Sequence, residues 1–126
     1  MKMFVSLNTT EPVLEIQQHR WNDDLLLCAV GNALITVNKH TKAVTEVASK
    51  MDDFGYINNV KAKQARFDSV KGFSQFEFAT GQNPIIIVAD SNNHCLRVVA
   101  VKDDINDWFV GTFAGMCKQR NPHCQY

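Results

Sequence analysis

The chain has 126 residues, 45% of them apolar and 21% charged, which is enough to pack one core and too apolar for a disordered segment. Its 13 basic and 13 acidic side chains cancel, so the chain as a whole is no polyelectrolyte partner for nucleic acid. No apolar run approaches the length of a membrane span, and the opening "MKMFVSLNTTEP" lacks the apolar stretch of a secretory signal.

In chain order, "MFVSLN" and "VLEIQ" flank Thr9-Thr10-Glu11-Pro12 and read as two strands of a partial unit over 1–22. "LLLCAV", Gly31-Asn32 and "ALITV" read as a tight hairpin, because Gly and Asn accept the positive φ that two-residue turns require. The more polar "VTEVASK" closes this second unit, over 23–50. Residues 51–69 lack strand character and read as a connection with one short helical turn in "VKAKQARF". "FEFAT" and "PIIIVA" form a second hairpin around a longer loop that holds Gly81, with Pro84 starting a strand where no ladder bond is lost. A turn of Asp103, Asp104 and Asn106 precedes the outer strand "DWFVGTF", completing a unit over 70–115 ahead of a tail, 116–126.

The two hairpins align as an internal repeat. The alignment pairs Ile35 with Ile87, Val37 with Ala89, Val44 with Leu96 and Val47 with Val99. Upstream of the loop it pairs Leu26 with Phe76 and Cys28 with Phe78. A strand such as "IIIVA", apolar without alternation, must be covered on both faces. Small antiparallel sheets stacked face to face around an axis do this, and that architecture is a β-propeller. The expected fold is therefore all-β, a propeller segment of two to three four-stranded antiparallel blades in an incomplete ring.

The stretch 65–115 carries a family resemblance. Phe67, Gly72, Val88-Ala89-Asp90, Asn93-His94, Leu96-Arg97 and Ala114-Gly115 fall where the NHL repeat places its marker residues. The segment resembles that family, whose members build TolB-like propellers of about six blades. Val70 stands where the lead-in proline is usual, and in the first unit Asn38 replaces the turn aspartate in a stretch without the Asn-His signature. Two blades and part of a third cannot close a ring without leaving apolar end faces. Three readings follow: missing blades of a longer protein complete the ring, further copies of the chain complete it, or the chain is a degenerate open stack.

The structural turn residues are Gly31, Asn32, Gly81 and Asp90, the last accepting backbone N–H groups of Asn92 or Asn93. Candidate binding residues are Asn92, Asn93 and His94 on the turn, Arg97 just beyond it, and Lys63 and Arg66 in the connection. Arg97 has two readings, an ion pair between blades or a ligand contact. Cys28 and Cys95 lie in apolar strands as small hydrophobes, while Cys117 and Cys124 in "CKQRNPHC" are spaced for a local disulfide. That bond would make the chain extracellular; without it the chain is expected to be cytoplasmic.

No phosphate-binding glycine loop, nucleophile elbow or paired-histidine metal motif is present. The expected activity is non-catalytic binding of a protein partner, with no cofactor and no metal. One alternative is RNA binding through Lys61, Lys63, Arg66 and Lys71, which outnumber the single carboxylate of their stretch, Asp68. The other follows from the resemblance: a fragment of an axial-site propeller enzyme, a lyase or lactone hydrolase.

Overall fold

The computed structural model describes residues 11–77, 83–115 and 117. Among these residues nine strands form two antiparallel sheets. The first is a meander of β1 (Val13–Gln18), β2 (Leu25–Val30), β3 (Ala33–Asn38) and β4 (Val44–Ala48), paired in that order. The second holds the meander β6 (Val70–Phe76), β7 (Ile85–Asp90), β8 (Cys95–Ala100) and β9 (Phe109–Ala114), with the two-residue β5 (Val60–Lys61) added beside β9. The expected helical turn of the connection is a 3-10 turn at Ala62–Gln64.

Three readings of the sequence need correction. β1 is the first strand of the first sheet, hydrogen-bonded to β2, and so does not belong to a separate preceding unit. The strand expected at "FEFAT" runs earlier, from Val70 to Phe76, and its last residue faces Ile85. Residues 78–82, including the Gly81 turn, lie outside the described residues. By position in the two meanders, β2–β3 corresponds to β7–β8, so Val30 answers to Asp90 and Ala33 to Cys95. The alignment of Ile35 with Ile87 placed a third strand against a second one. Apolar pattern alone could not tell these registers apart, because both runs lack the alternation that marks a face.

The β2–β3 turn is as tight as expected. Gly31 sits at φ +59°, and a Cβ there would come within 2.8 Å of the Met51 carbonyl oxygen and the Glu11 side chain. Only a residue without a side chain turns the strand there without a clash.

One core joins the sheets. Leu27, Ala29, Leu34, Val47 and Ala48 from the first meet Val70, Phe73, Ile86, Val88, Val99 and Val110 from the second, and Ala62, Ala65 and Phe67 of the connection fill the margin. At the near edge, side chains of β1 satisfy the outward backbone groups of β6. The Phe73 N–H donates to Glu15 Oε2 at 2.8 Å, and Gln17 Nε2 donates to the Phe73 carbonyl at 2.9 Å. Two edge strands that would otherwise expose a polar ladder are thereby tied together.

The expectation that the inner strands are covered on both sides holds for β2 and β3. The opposite side of these strands buries Cys28, Val30, Ala33, Ile35 and Val37 in a second cluster. It holds only half for β7. Ile86, Val88 and Asp90 are fully buried, whereas Ile85, Ile87 and Ala89 on the other side are only partly covered.

Candidate functional site

The sequence-derived site residues converge at one end of the sheets, around the β7–β8 turn. Asp90 and Arg97 lie diagonally across the β7–β8 ladder, Asp90 opposite Cys95 and Arg97 opposite Val88, and both are fully buried. Arg97 donates from one terminal nitrogen to Asp90 Oδ2 at 2.7 Å. The same nitrogen donates to the Arg66 carbonyl at 3.0 Å, and the other donates to the Ile57 carbonyl at 2.6 Å and Asn58 Oδ1 at 3.3 Å. Its Nε is the one buried side-chain polar atom without a hydrogen-bond partner among the described residues. Aromatic rings supply the remaining contact: Tyr56 lies 4.4 Å and Phe67 5.0 Å from the guanidinium carbon, within cation–π range.

Asp90 accepts from three donors. The Asp68 N–H reaches Oδ1 at 2.7 Å, and Asn93 Nδ2 reaches Oδ2 at 2.9 Å beside the Arg97 guanidinium. The expected bonds from the Asn92 or Asn93 backbone are not the ones formed, because the turn curls as a 3-10 segment, Ser91–Asn93. The left-handed residue there is His94, at φ 59°. Burial raises the Asp90 carboxyl above its ordinary value, and the bonds from Asn93, Asp68 and Arg97 oppose that rise. Every one of these neighbours is a donor, and a protonated carboxyl would have no acceptor for its hydrogen. The group is therefore the carboxylate.

The same connection is gripped by the other hairpin turn. Asn32 Oδ1 accepts the Ser69 N–H at 2.9 Å, Asn32 Nδ2 donates to the Met51 carbonyl, and the Gly31 carbonyl accepts the Val70 N–H at 3.0 Å. From the β7–β8 turn, the Ser91 and Asn92 N–H groups donate to the Ser69 and Asp68 carbonyls. Residues 68–70 are thus held from both sides, one turn from each sheet. Ser69 accepts a positive φ of 65° in that grip.

This arrangement sorts the six binding candidates. Arg97 and Asn93 are enclosed in the clasp, and Asn92 Nδ2 is bonded to Asp68 Oδ1 at 3.2 Å. Arg66 is mostly buried and paired with Asp53 at 3.0 Å. His94 and Lys63 are exposed. Of the basic stretch, Lys61 is also paired, with Asp107 at 3.2 Å. Sequence reasoning missed Tyr56, Asn58 and Asp68, which are separated from Arg97 or Asp90 by the chain length of the connection; no local pattern marks such partners.

The cysteines differ from expectation. Cys117 pairs with Cys95, with Cα atoms 4.9 Å apart. Cys95 is therefore half of a disulfide that ties the start of β8 to the chain beyond β9, and Cys124 lies outside the described residues. Cys28 is a buried free thiol whose pKa burial pushes up to about 11, which leaves it unreactive at neutral pH.

Beside the clasp lies an apolar trough on the outer side of the second sheet. Its broad part, about 630 Å³, is lined by Phe76, Ile87, Ala89, Leu96 and Phe113 over the backbone of Gly72. Ala89 and Leu96 also line a neighbouring hollow of about 470 Å³ that reaches His94 and Ser91. Leu96 is 38% and Phe113 54% exposed. Among the described residues, no three His, Cys, Asp or Glu side chains converge as metal ligands, and no helix is long and apolar enough to cross a membrane. Compared with protein-family models, curated proteins and solved structures, the chain gives no match.

Proposed function

We propose that the chain is a non-catalytic protein-binding module, built as consecutive blades of an NHL-type β-propeller segment. Two four-stranded meanders packed face to face support this reading, as do β1 and β6 abutting at one edge where innermost blade strands would meet. The buried Asp90–Arg97 pair gives the Ala-Asp and Leu-Arg positions of the resemblance a structural task in the clasp.

The observation that carries the binding role is the trough. Leu96, Phe113 and Ile87 form a contiguous apolar surface on a rigid sheet, and such surfaces on folded domains mark interaction sites. The occupant is another antiparallel sheet of the same kind, for which the packing of the first sheet on the second is the template. A second copy of the chain is the simplest protein that offers one. The far side of β2 and β3 is already buried, so two copies meet through the trough itself, as a two-fold pair.

Sedimentation velocity across a concentration series tests this. The wild-type chain is expected to self-associate reversibly, and Leu96→Lys to weaken that association by about tenfold or more, since it puts a charge at the centre of the buried patch. A chain that stays monomeric at every concentration, or self-association indifferent to Leu96→Lys, contradicts the proposal.

A further inference from the structure

At the opposite end from the Asp90–Arg97 clasp, a cleft of about 430 Å³ opens between the β1–β2 connection and the β8–β9 connection. Its size falls within the range of small-molecule sites. Both tryptophans of the chain, Trp21 and Trp108, line it, together with His19 and Thr36.

His19 and Thr36 are each only 5% exposed. His19 Nδ1 accepts the Trp21 N–H at 3.2 Å, so the ring proton of the neutral imidazole sits on Nε2. Burial lowers the His19 pKa, which favours that neutral form. Among the described residues neither Nε2 nor the Thr36 hydroxyl has a hydrogen-bond partner, yet neither is sealed from solvent. Both residues line the cleft. A nearly buried donor and a nearly buried hydroxyl that the protein itself leaves unbonded are groups that a ligand with matching atoms can engage in place of water.

The walls set the rest of the ligand's character. The Trp108 indole N–H is bonded to the Lys102 carbonyl at 2.9 Å, and that of Trp21 to Glu77 Oε2 at 3.2 Å. The indoles therefore offer apolar surface and no free donor. Their rings lie 6.4 Å and 5.9 Å from the His19 ring, fixing its plane. Lys102 and Asp103 at the mouth carry opposite charges, so the rim selects neither sign. We propose that this cleft binds a small, uncharged, flat ring carrying an amide-type edge. The carbonyl takes the proton of His19 Nε2 and the amide N–H faces the Thr36 hydroxyl. The proposal is independent of the trough, which lies on the outer side of the second sheet.

The test is a titration of the full chain with benzamide, followed by the two indole N–H cross-peaks in ¹H–¹⁵N spectra, with toluene as a ring lacking the amide. Benzamide is expected to shift both indole peaks saturably and to bind about tenfold tighter than toluene. His19→Phe should bring benzamide to the toluene level. Thr36→Val, which preserves side-chain shape, should weaken benzamide several-fold and leave toluene unchanged. Absence of saturable shifts overturns the proposal. Equal affinity for the two rings, or a benzamide affinity that both substitutions leave intact, overturns it as well.

Discussion

Replacing Arg97 with methionine is expected to destabilise the chain by about 3–5 kcal/mol in urea unfolding, the cost of stranding a buried charge. The Asp90 carboxylate would keep its bonds from Asp68 and Asn93 and lose the guanidinium that neutralises it. The Ile57 and Arg66 carbonyls would lose their Arg97 donors, so the connection loosens with the pair. A loss of that size is a large part of the stability of a typical domain, about 5–15 kcal/mol. The double substitution Asp90→Asn with Arg97→Met should cost less than the sum of the two single changes, because the second removes the charge that the first stranded.

The pH dependence carries a definite sign. Loss of Arg97 removes two of the influences that hold the Asp90 carboxyl down and leaves burial, which pushes it up. The folded variant therefore takes up a proton at a higher pH than the unfolded chain, and at a higher pH than the folded wild type does. The penalty is full above the raised value, shrinks as pH falls through it, and is gone once pH is below the unfolded carboxyl's own range. A stability difference that is the same at neutral pH as near pH 4, or a total loss under about 1 kcal/mol, would show that the pair is not the clasp described here.

The second large effect is expected at Phe67. Its side chain is fully buried, lies 5.0 Å from the Arg97 guanidinium and belongs to the core shared by both sheets. Phe67→Ala should cost about 3–5 kcal/mol through lost burial and the cavity left behind. Because Phe67 sits on the connection, circular dichroism and tryptophan fluorescence should report one common shifted transition. Phe113→Ala, at the exposed trough, should stay within about 0.5 kcal/mol of the wild type when both are measured at concentrations where the chain is monomeric. Separate transitions by the two probes would indicate sheets that unfold independently.

Much of the fold was legible in residue pattern. The Gly31-Asn32 hairpin, the strand "IIIVAD", the outer strand "FVGTFA" and the helical turn near Ala62 all follow from turn chemistry and β-branched runs. Strand membership was less legible. "VLEIQQ" alternates weakly and gives no sign of which neighbour it pairs with, so β1 was read into the wrong unit. The repeat slipped by one strand for a related reason: successive apolar runs of similar length look alike until hydrogen bonding orders them.

The candidate site was legible in part. Asp90, Asn93 and Arg97 stand out in sequence, and they do cluster, but inward, bonded to Gly55, Ile57 and Asp68. A buried polar turn and a ligand-binding turn use the same residues. What distinguishes them is the distant chain that covers them, and no sequence window contains it. The trough was hidden for the opposite reason. Leu96 and Phe113 look like ordinary strand residues, and only the sheet's outer side makes them a surface. The cleft is lined by Trp21 and Trp108, whose scarcity in the chain was the one available signal.

The account rests on residues 68–70 being held by a turn from each sheet, so that two meanders behave as one body. Native-state hydrogen exchange of the Asp68, Ser69 and Val70 amides tests this most directly. Although they lie at the end of a connection, these amides are expected to exchange as slowly as those in the middle of β7 and β8, through global unfolding. Exchange at the rate of an open loop, while the strand amides stay protected, would contradict the account.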